Sequence, residues 1–479
     1  TANVIRFDWH ALVSDRLGNG HFPTYFAFLK VLGLASASDV ALRLPSAVAG
    51  ALAGGVMTVL VLRLSGPLTA AIFAILFAIN PFVIYYDIEA RPYAAMALFL
   101  SIALVGYAGL FRAGTRLWAA IGLIAIGSIV AGLLVPAGIV SVAVQQVAIL
   151  ACGVRRFPRR IRLALAGQAA VTWAIFVTAS LQLTPGNGQQ PRHLADLADT
   201  DKVRTMIERC VIALVQMFGF IVPSDVNRYL PAYFEVGLAV VFVGLAIAGM
   251  IRTRRQPVFR FLSFVLVGTP VVFIAMGVVS PTAARYMTGT VPLAILFAAT
   301  AIACGFSVPR WRFAVAALAA AFVLGTLLQL RDGTESEVKL DWRPAAAFLA
   351  DRDLRNVELY SPHNEFQSIL THYLPDGTGV RYRLVDYEFL PVSEFWKAVG
   401  ERDDTWAVVH YWLRPPEDLA AHRIVCTEQF GRVSVLYLTR DAATIPPGFE
   451  SCKAGADLGT RASVPPQAPT ATGPAVAAP

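Results

Sequence analysis

Long apolar runs separated by short polar clusters occupy the first two-thirds of the chain, and the length of those runs sets the class of protein. They cover residues 47–64, 67–86, 93–111, 117–135, 137–153, 163–183, 233–251, 261–280, 287–307 and 313–330. A helix needs about 20 such residues to cross the hydrocarbon core. The pattern therefore predicts a polytopic α-helical membrane protein of about ten spans. Residues 209–222 are apolar but short, which predicts a helix lying in the interface. After Asp332 the pattern changes: β-rich runs NVELYS (356–361), TWAVVHYWL (405–413) and VSVLYLT (433–439) alternate with the helix-like WRPAAAFLADRD (342–353). That alternation predicts a small C-terminal α/β domain. From Ser463 the Pro- and Ala-rich end has no apolar periodicity and is expected to be disordered. The expected division is a first exoplasmic loop with juxtamembrane helices (1–46), a transmembrane domain (47–330), an α/β domain (331–462) and a tail (463–479).

Composition supports the same class. Of 479 residues 56% are hydrophobic and 15% charged, with a mean hydropathy of +0.59, which excludes an ordinary soluble enzyme. The net charge of +8 would suggest nucleic acid in a soluble protein. Here the basic residues instead fall in alternate loops: Arg63, then Arg112 and Arg116, then Arg155 to Arg162, then Arg252 to Arg255, then Arg310 and Arg312. Basic loops stay in the cytoplasm. The other loops, richer in acids and histidine, are then exoplasmic, which places them in the periplasm of a bacterial inner membrane. This orientation puts the amino terminus outside and, with Thr1 first, predicts an upstream segment such as a first span or signal anchor.

Polar side chains clustered at one membrane face are costly to place and are functional candidates by default. Three such clusters fall on the exoplasmic side: Phe7 to Phe26, with Asp8, His10, Asp15, Arg16, His21 and Tyr25; Asn80 to Ala95, with Asp87, Glu89, Arg91 and Tyr93; and Ser280 to Pro292, with Arg285 and Tyr286. No CxxC or HExxH spacing occurs, so no metal site is indicated, although a divalent ion shared by Asp8, His10 and Glu89 is not required or forbidden by spacing. Cys426 and Cys452 lie in the exported domain, where oxidising conditions permit a disulfide, but spacing does not establish the pairing.

The order HFPTYF (21–26), ALRLPSAVAGALAG (41–54), NPFVIYYDIEARPYA (80–94) and ARYMTGTVPLAIL (284–296) resembles the GT-C membrane glycosyltransferases. Within them it is most similar to the branch containing protein O-mannosyltransferases and the lipid A aminoarabinose transferase. The second exoplasmic block is the most specific: Tyr86 to Ala94 closely resemble the family's Tyr-Tyr/Ser-x-Glu-Ala-Arg-x-Tyr-Ala pattern. The resemblance implies an inverting transferase that moves a sugar from a polyprenyl-phosphate carrier to an acceptor hydroxyl on a lipid, glycan or protein, with membrane lipids as surroundings and no nucleic acid partner. It assigns the catalytic carboxylate to Asp8, with Glu89 as the alternative, and the donor phosphate to Arg91, Arg285 and Tyr286. His21, Tyr25, Arg43, Asp87 and Tyr93 would complete the pocket. One departure stands out: relatives carry an adjacent Asp-Glu pair in the first loop, where this chain has Asp8-Trp9.

Plainer roles compete with these. Asp8 has the composition of a helix N-cap, Glu89 and Arg91 of a structural ion pair, His21 of a loop-packing residue, Arg43 of an interfacial anchor, and the tyrosines of an aromatic belt. The competing function is a secondary transporter or lipid flippase. Transporters concentrate polar groups at the midplane of interrupted helices, and these runs hold almost no ionisable residue there.

Overall fold

The computed structural model describes residues 2–183 apart from 19, 35–37, 113, 154 and 155; residues 232–275; residues 285–335 apart from 311; and 343–351, 358–361, 370, 374, 381–384, 392–400, 404–410, 424–430, 433–439 and 451–454. Two compact units divide at Val338/Lys339. The expected interfacial helix at 209–222, residues His363, His372 and Trp412, and the tail from 463 lie outside the described residues.

The first unit is helical. Three short helices, α1 (Ala2–Arg6), α2 (Trp9–Gly18) and α3 (Thr24–Val31), precede α4 (Asp39–Ser65), α5 (Pro67–Ala78), α6 (Pro81–Asp87), α7 (Tyr93–Leu110), α8 (Leu117–Leu134), α9 (Pro136–Cys152) and α10 (Arg159–Ser180). After the undescribed segment come α11 (Ala232–Thr253), α12 (Pro257–Ala275), α13 (Val291–Phe306) and α14 (Arg312–Glu335). Proline opens α5, α6, α9 and α13 at their first turn, where its missing N–H costs no hydrogen bond. Among the described residues, four helices have the length and composition to cross a membrane alone, or five spans if α5 and α6 count as one broken span bent by 59°. The apolar parts of α9, α11, α12, α13 and α14 are shorter. The last helix runs on to Glu335, beyond the expected boundary near residue 330.

The core of this unit runs along α7 and α13. Leu293 through Ala299 are all buried on α13, as expected of a helix apolar all round and enclosed by neighbours. α7 packs on α4 and α8, and α13 packs on α5, α11 and α14. Exposed Leu44, Val48, Leu52, Val59 and Leu62 on α4, and Leu163, Val171 and Val177 on α10, form apolar outer faces suited to lipid.

The second unit holds a six-stranded mixed sheet in the order β2 (Arg381–Leu384), β1 (Glu358–Ser361), β3 (Thr405–His410), β5 (Val433–Thr439), β4 (Ile424–Phe430), β6 (Ser451–Ala454). β1 runs parallel to β2 and β3, and the remaining pairs are antiparallel. Helix α15 (Arg343–Ala350) packs its Ala345, Ala346 and Leu349 with Val408, Val433 and Val435, whereas α16 (Val392–Gly400) packs Phe395, Trp396 and Val399 with Ala407, Val409 and Leu436. Alternate residues of β3 and β5 thus feed two cores. That explains why VSVLYLT is buried at every position rather than alternating with polar residues. Cys426 is disulfide-bonded, and the β4–β6 register sets Cys452 directly opposite it.

Candidate active site

Helix α2 ends in a way that fixes one wall of the site. Gly20 adopts φ 70°, a conformation that favours glycine, and lets its N–H reach the Leu17 carbonyl at 3.1 Å while His21 N–H reaches the Arg16 carbonyl at 2.8 Å. This Schellman pair brings His21 and Arg16 together at the helix end. Arg16 Nε bonds the Asp15 carboxylate at 2.7 Å, and its guanidinium lies 5.0 Å from the Phe26 ring centre.

The second wall comes from the break between α5 and α6. Asn80 caps α6 by accepting from Val83 N–H at 3.0 Å, and Pro81 starts the new helix, so one apolar run becomes two helices at 59°. Helix α6 delivers Tyr85, Tyr86 and Asp87 to the turn that holds Glu89 and Arg91. That turn is tight: Arg91 N–H donates to the Glu89 carbonyl at 2.7 Å.

The third wall is the short turn carrying Arg285 and Tyr286 ahead of α13. The guanidinium of Arg285 sits 5.1 Å from the Tyr286 ring and 5.8 Å from the Tyr93 ring, and it donates to the Tyr286 hydroxyl at 3.3 Å. Its Nε is buried with no hydrogen-bond partner, and no carboxylate pairs with it among the described residues. A chain of edge-to-face and stacked rings, Phe82, Tyr86, Tyr93, Tyr286 and Phe273, backs the turn.

The three walls meet at His21. Burial pushes its imidazole down to about 4, reinforced by the guanidiniums of Arg16, Arg285 and Arg91 and opposed by Asp15. The ring is therefore neutral at physiological pH, inside a cluster of three arginines. The charges of Glu89, Arg91 and Arg285 also act together on Tyr85.

The sequence-predicted residues divide as follows. His21, Glu89, Arg91, Tyr93, Arg285 and Tyr286 converge. Asp8 is exposed, and its Oδ1 accepts from Ala11 N–H at 2.8 Å, which makes it the N-cap of α2. Arg43 is exposed on α4 and has no hydrogen bond or ion pair among the described residues. Tyr25 is buried, its hydroxyl 2.6 Å from Ser46 Oγ. Asp87 lies against Gly50, where a β-carbon would stand 2.0 Å from Oδ2, in an apolar cleft lined by Phe77, Phe82, Tyr86 and Thr288. Ser46 and Gly50 were not singled out by sequence, and Arg16 stood in the first polar cluster without an assigned role. No group of three or more His, Cys, Asp or Glu side chains converges among the described residues.

Helix order and bundle share the fold seen in crystal structures of ArnT. The chain is similar to the crystal structure of ArnT from Cupriavidus metallidurans in the apo state, with TM-score 0.54 and 15% identity over 90% of this chain and 89% of that one. It is similar also to ArnT from the same organism bound to undecaprenyl phosphate, with TM-score 0.52, 15% identity and the same coverage. No family model matches the chain, and no curated protein matches it.

Proposed function

We propose that the protein is an inverting glycosyltransferase that takes a sugar from a polyprenyl-phosphate carrier and passes it to an acceptor hydroxyl at the periplasmic face of the inner membrane, on a bundle of about ten spans. The observation that carries this reading is the Arg285 guanidinium, with a buried, unbonded Nε and no carboxylate partner among the described residues, beside Arg91 and a neutral His21. A buried guanidinium nitrogen left without a hydrogen bond is costly, and a lipid phosphate is the anion a membrane delivers to that place. The fold likeness to a transferase bound to undecaprenyl phosphate supports the same donor class.

In the proposed reaction the acceptor oxygen attacks the anomeric carbon from the side opposite the phosphate, so configuration inverts. The acceptor oxygen–carbon bond forms as the carbon–phosphate oxygen bond breaks, and the electron pair leaves on the phosphate. Arg285 and Arg91 hold the growing negative charge through paired donors. Glu89, the carboxylate that shares Tyr85 with both arginines, accepts the acceptor's proton. Asp8 serves as a cap in this scheme. The scheme calls on no metal or cofactor, since the guanidiniums supply the positive charge.

The test is affinity for undecaprenyl phosphate in lipid nanodiscs. Loss of a charge-assisted pair predicts at least about tenfold weaker binding in Arg285→Ala, and little recovery in Arg285→Lys, which lacks the planar fork. Unchanged affinity in folded Arg285→Ala would remove the donor assignment.

A further inference from the structure

Several helical serine and threonine hydroxyls among the described residues turn back on their own helix. Thr58 donates to the Gly54 carbonyl at 2.7 Å, Ser101 to Ala97 at 2.8 Å and Thr300 to Leu296 at 2.8 Å. This is the default for a hydroxyl with no better partner. Ser46, on α4, departs from it. Its hydroxyl donates across to the Arg91 carbonyl at 3.0 Å, 45 residues away. Because a serine hydroxyl has one hydrogen and Ser46 has committed it to Arg91, the 2.6 Å contact with Tyr25 has only one polarity: the phenol donates and Ser46 Oγ accepts. Tyr25 and Ser46 are both buried, at 2% and 0% exposure, so water does not compete for this chain of hydroxyls.

The relay ends on a backbone already held on two other sides. Arg91 N–H is spent on the Glu89 carbonyl at 2.7 Å, and Pro92 follows, which narrows the conformations open to Arg91. Beyond this fixed backbone the Arg91 side chain bonds Tyr93. At the other end, Tyr25 sits on α3, the helix that begins just after the turn carrying His21. The two hydroxyls therefore tie the first wall of the site to the second without reaching the ligand space.

We infer that Tyr25 and Ser46 are positioning residues for Arg91, setting the direction of its guanidinium so that the cost of ordering the loop is met in folding rather than on donor binding. The inference rests on Arg91 as a ligand of the donor phosphate and adds the device that aims it.

The experiment is a double-mutant cycle on the full-length protein in nanodiscs, reading undecaprenyl phosphate affinity. Loss of a buried hydrogen bond predicts that Ser46→Ala binds about five- to tenfold more weakly, with Tyr25→Phe intermediate and Ser46→Thr close to wild type. Placed in an Arg91→Ala background, Ser46→Ala should add nothing further, because its effect passes through the missing side chain. Full affinity in folded Ser46→Ala overturns the inference, and so does an equal loss in both backgrounds, which marks a general loosening. A second measurement, hydrogen exchange of the 88–91 backbone without ligand, keeps the two readings apart. Exchange accelerated by Ser46→Ala and restored by Ser46→Thr supports the clamp, and unchanged exchange overturns it. If Arg91→Ala alone leaves affinity intact while the clamp is present, the donor assignment of Arg91 fails and the relay does not.

Discussion

An aspartate that caps a helix and an aspartate that accepts a proton in catalysis respond differently to the same two substitutions, and Asp8 is open to that test. Its Oδ1 accepts from Ala11 N–H, and asparagine serves a helix N-terminus as well as aspartate does. Asp8→Asn is expected to keep both stability and turnover. Asp8→Ala should lose about 1 kcal/mol of stability. A purified assay in which Asp8→Asn is inactive would return the carboxylate to the chemistry. His21 yields a second prediction, in pH. Its folded value near 4 lies below the ordinary 6.5, so between those limits the unfolded chain binds a proton that the folded chain refuses. Its contribution to stability is therefore constant above pH 6.5, falls as pH drops toward 4 and levels below that. Scans of apparent melting temperature between pH 7 and 4.5 should fall less steeply in His21→Asn than in wild type, and identical slopes would count against the neutral histidine. Arg91 and Arg285 were legible in the sequence because isolated charges at the ends of apolar runs have few uses. Ser46 and Gly50 were not, because a small residue in a small-residue helix looks the same whether it meets lipid or a distant carbonyl.

At the scale of helices, close approach is written in particular glycines. Helix α11 carries three. A β-carbon on Gly249 would stand 2.0 Å from the Phe297 carbonyl oxygen of α13, whereas Gly237 and Gly244 face nothing within 4 Å. The Phe297 atom belongs to the backbone, so relief requires moving one helix away from another. Gly249→Ala should destabilise the bundle by about 1–3 kcal/mol. Gly244→Ala, removing only glycine's excess freedom, should be neutral or stabilise by up to about 1 kcal/mol. Thermal unfolding of the two variants in one detergent checks the contrast, and equal effects would contradict the packing of α11 on α13. Sequence reading placed these helices by run length, yet it gave no warning of the 59° break between α5 and α6. The cue was present in Asn80-Pro81, a cap followed by a residue without an N–H, but the apolar run continues through it unbroken and hydropathy alone cannot show a bend.

For the transmembrane unit as a whole, the helices assign loops to ends. Helix α7 leads from the Arg91 turn to Arg112 across 18 residues, a rise of about 27 Å. Helix α13 leads from the Arg285 turn toward Arg310 across 16 residues, about 24 Å. Since Arg91 and Arg285 act on the same histidine, Arg112 and Arg310 share the opposite end. Helices α8 and α9 then run out and back, which returns Arg156 to the Arg112 end. The basic loops thus gather away from the site, and if they face the cytoplasm the site faces the periplasm. Apart from tyrosines, the buried polar side chains of the described helices are Ser, Thr and Gln, and the desolvated carboxylate of Asp87 sits at the end of α6, beside the site turn. Orientation can be measured with a membrane-impermeant maleimide in spheroplasts, using a background in which Cys152, Cys210 and Cys304 are alanine. Ile88→Cys, exposed beside Glu89, should label from outside, whereas Arg112→Cys and Arg310→Cys should label only after the membrane is opened. The reverse pattern would turn the arginine cluster toward the cytoplasm, where nucleotide sugars are available, and the physical reason for a lipid-borne donor would disappear.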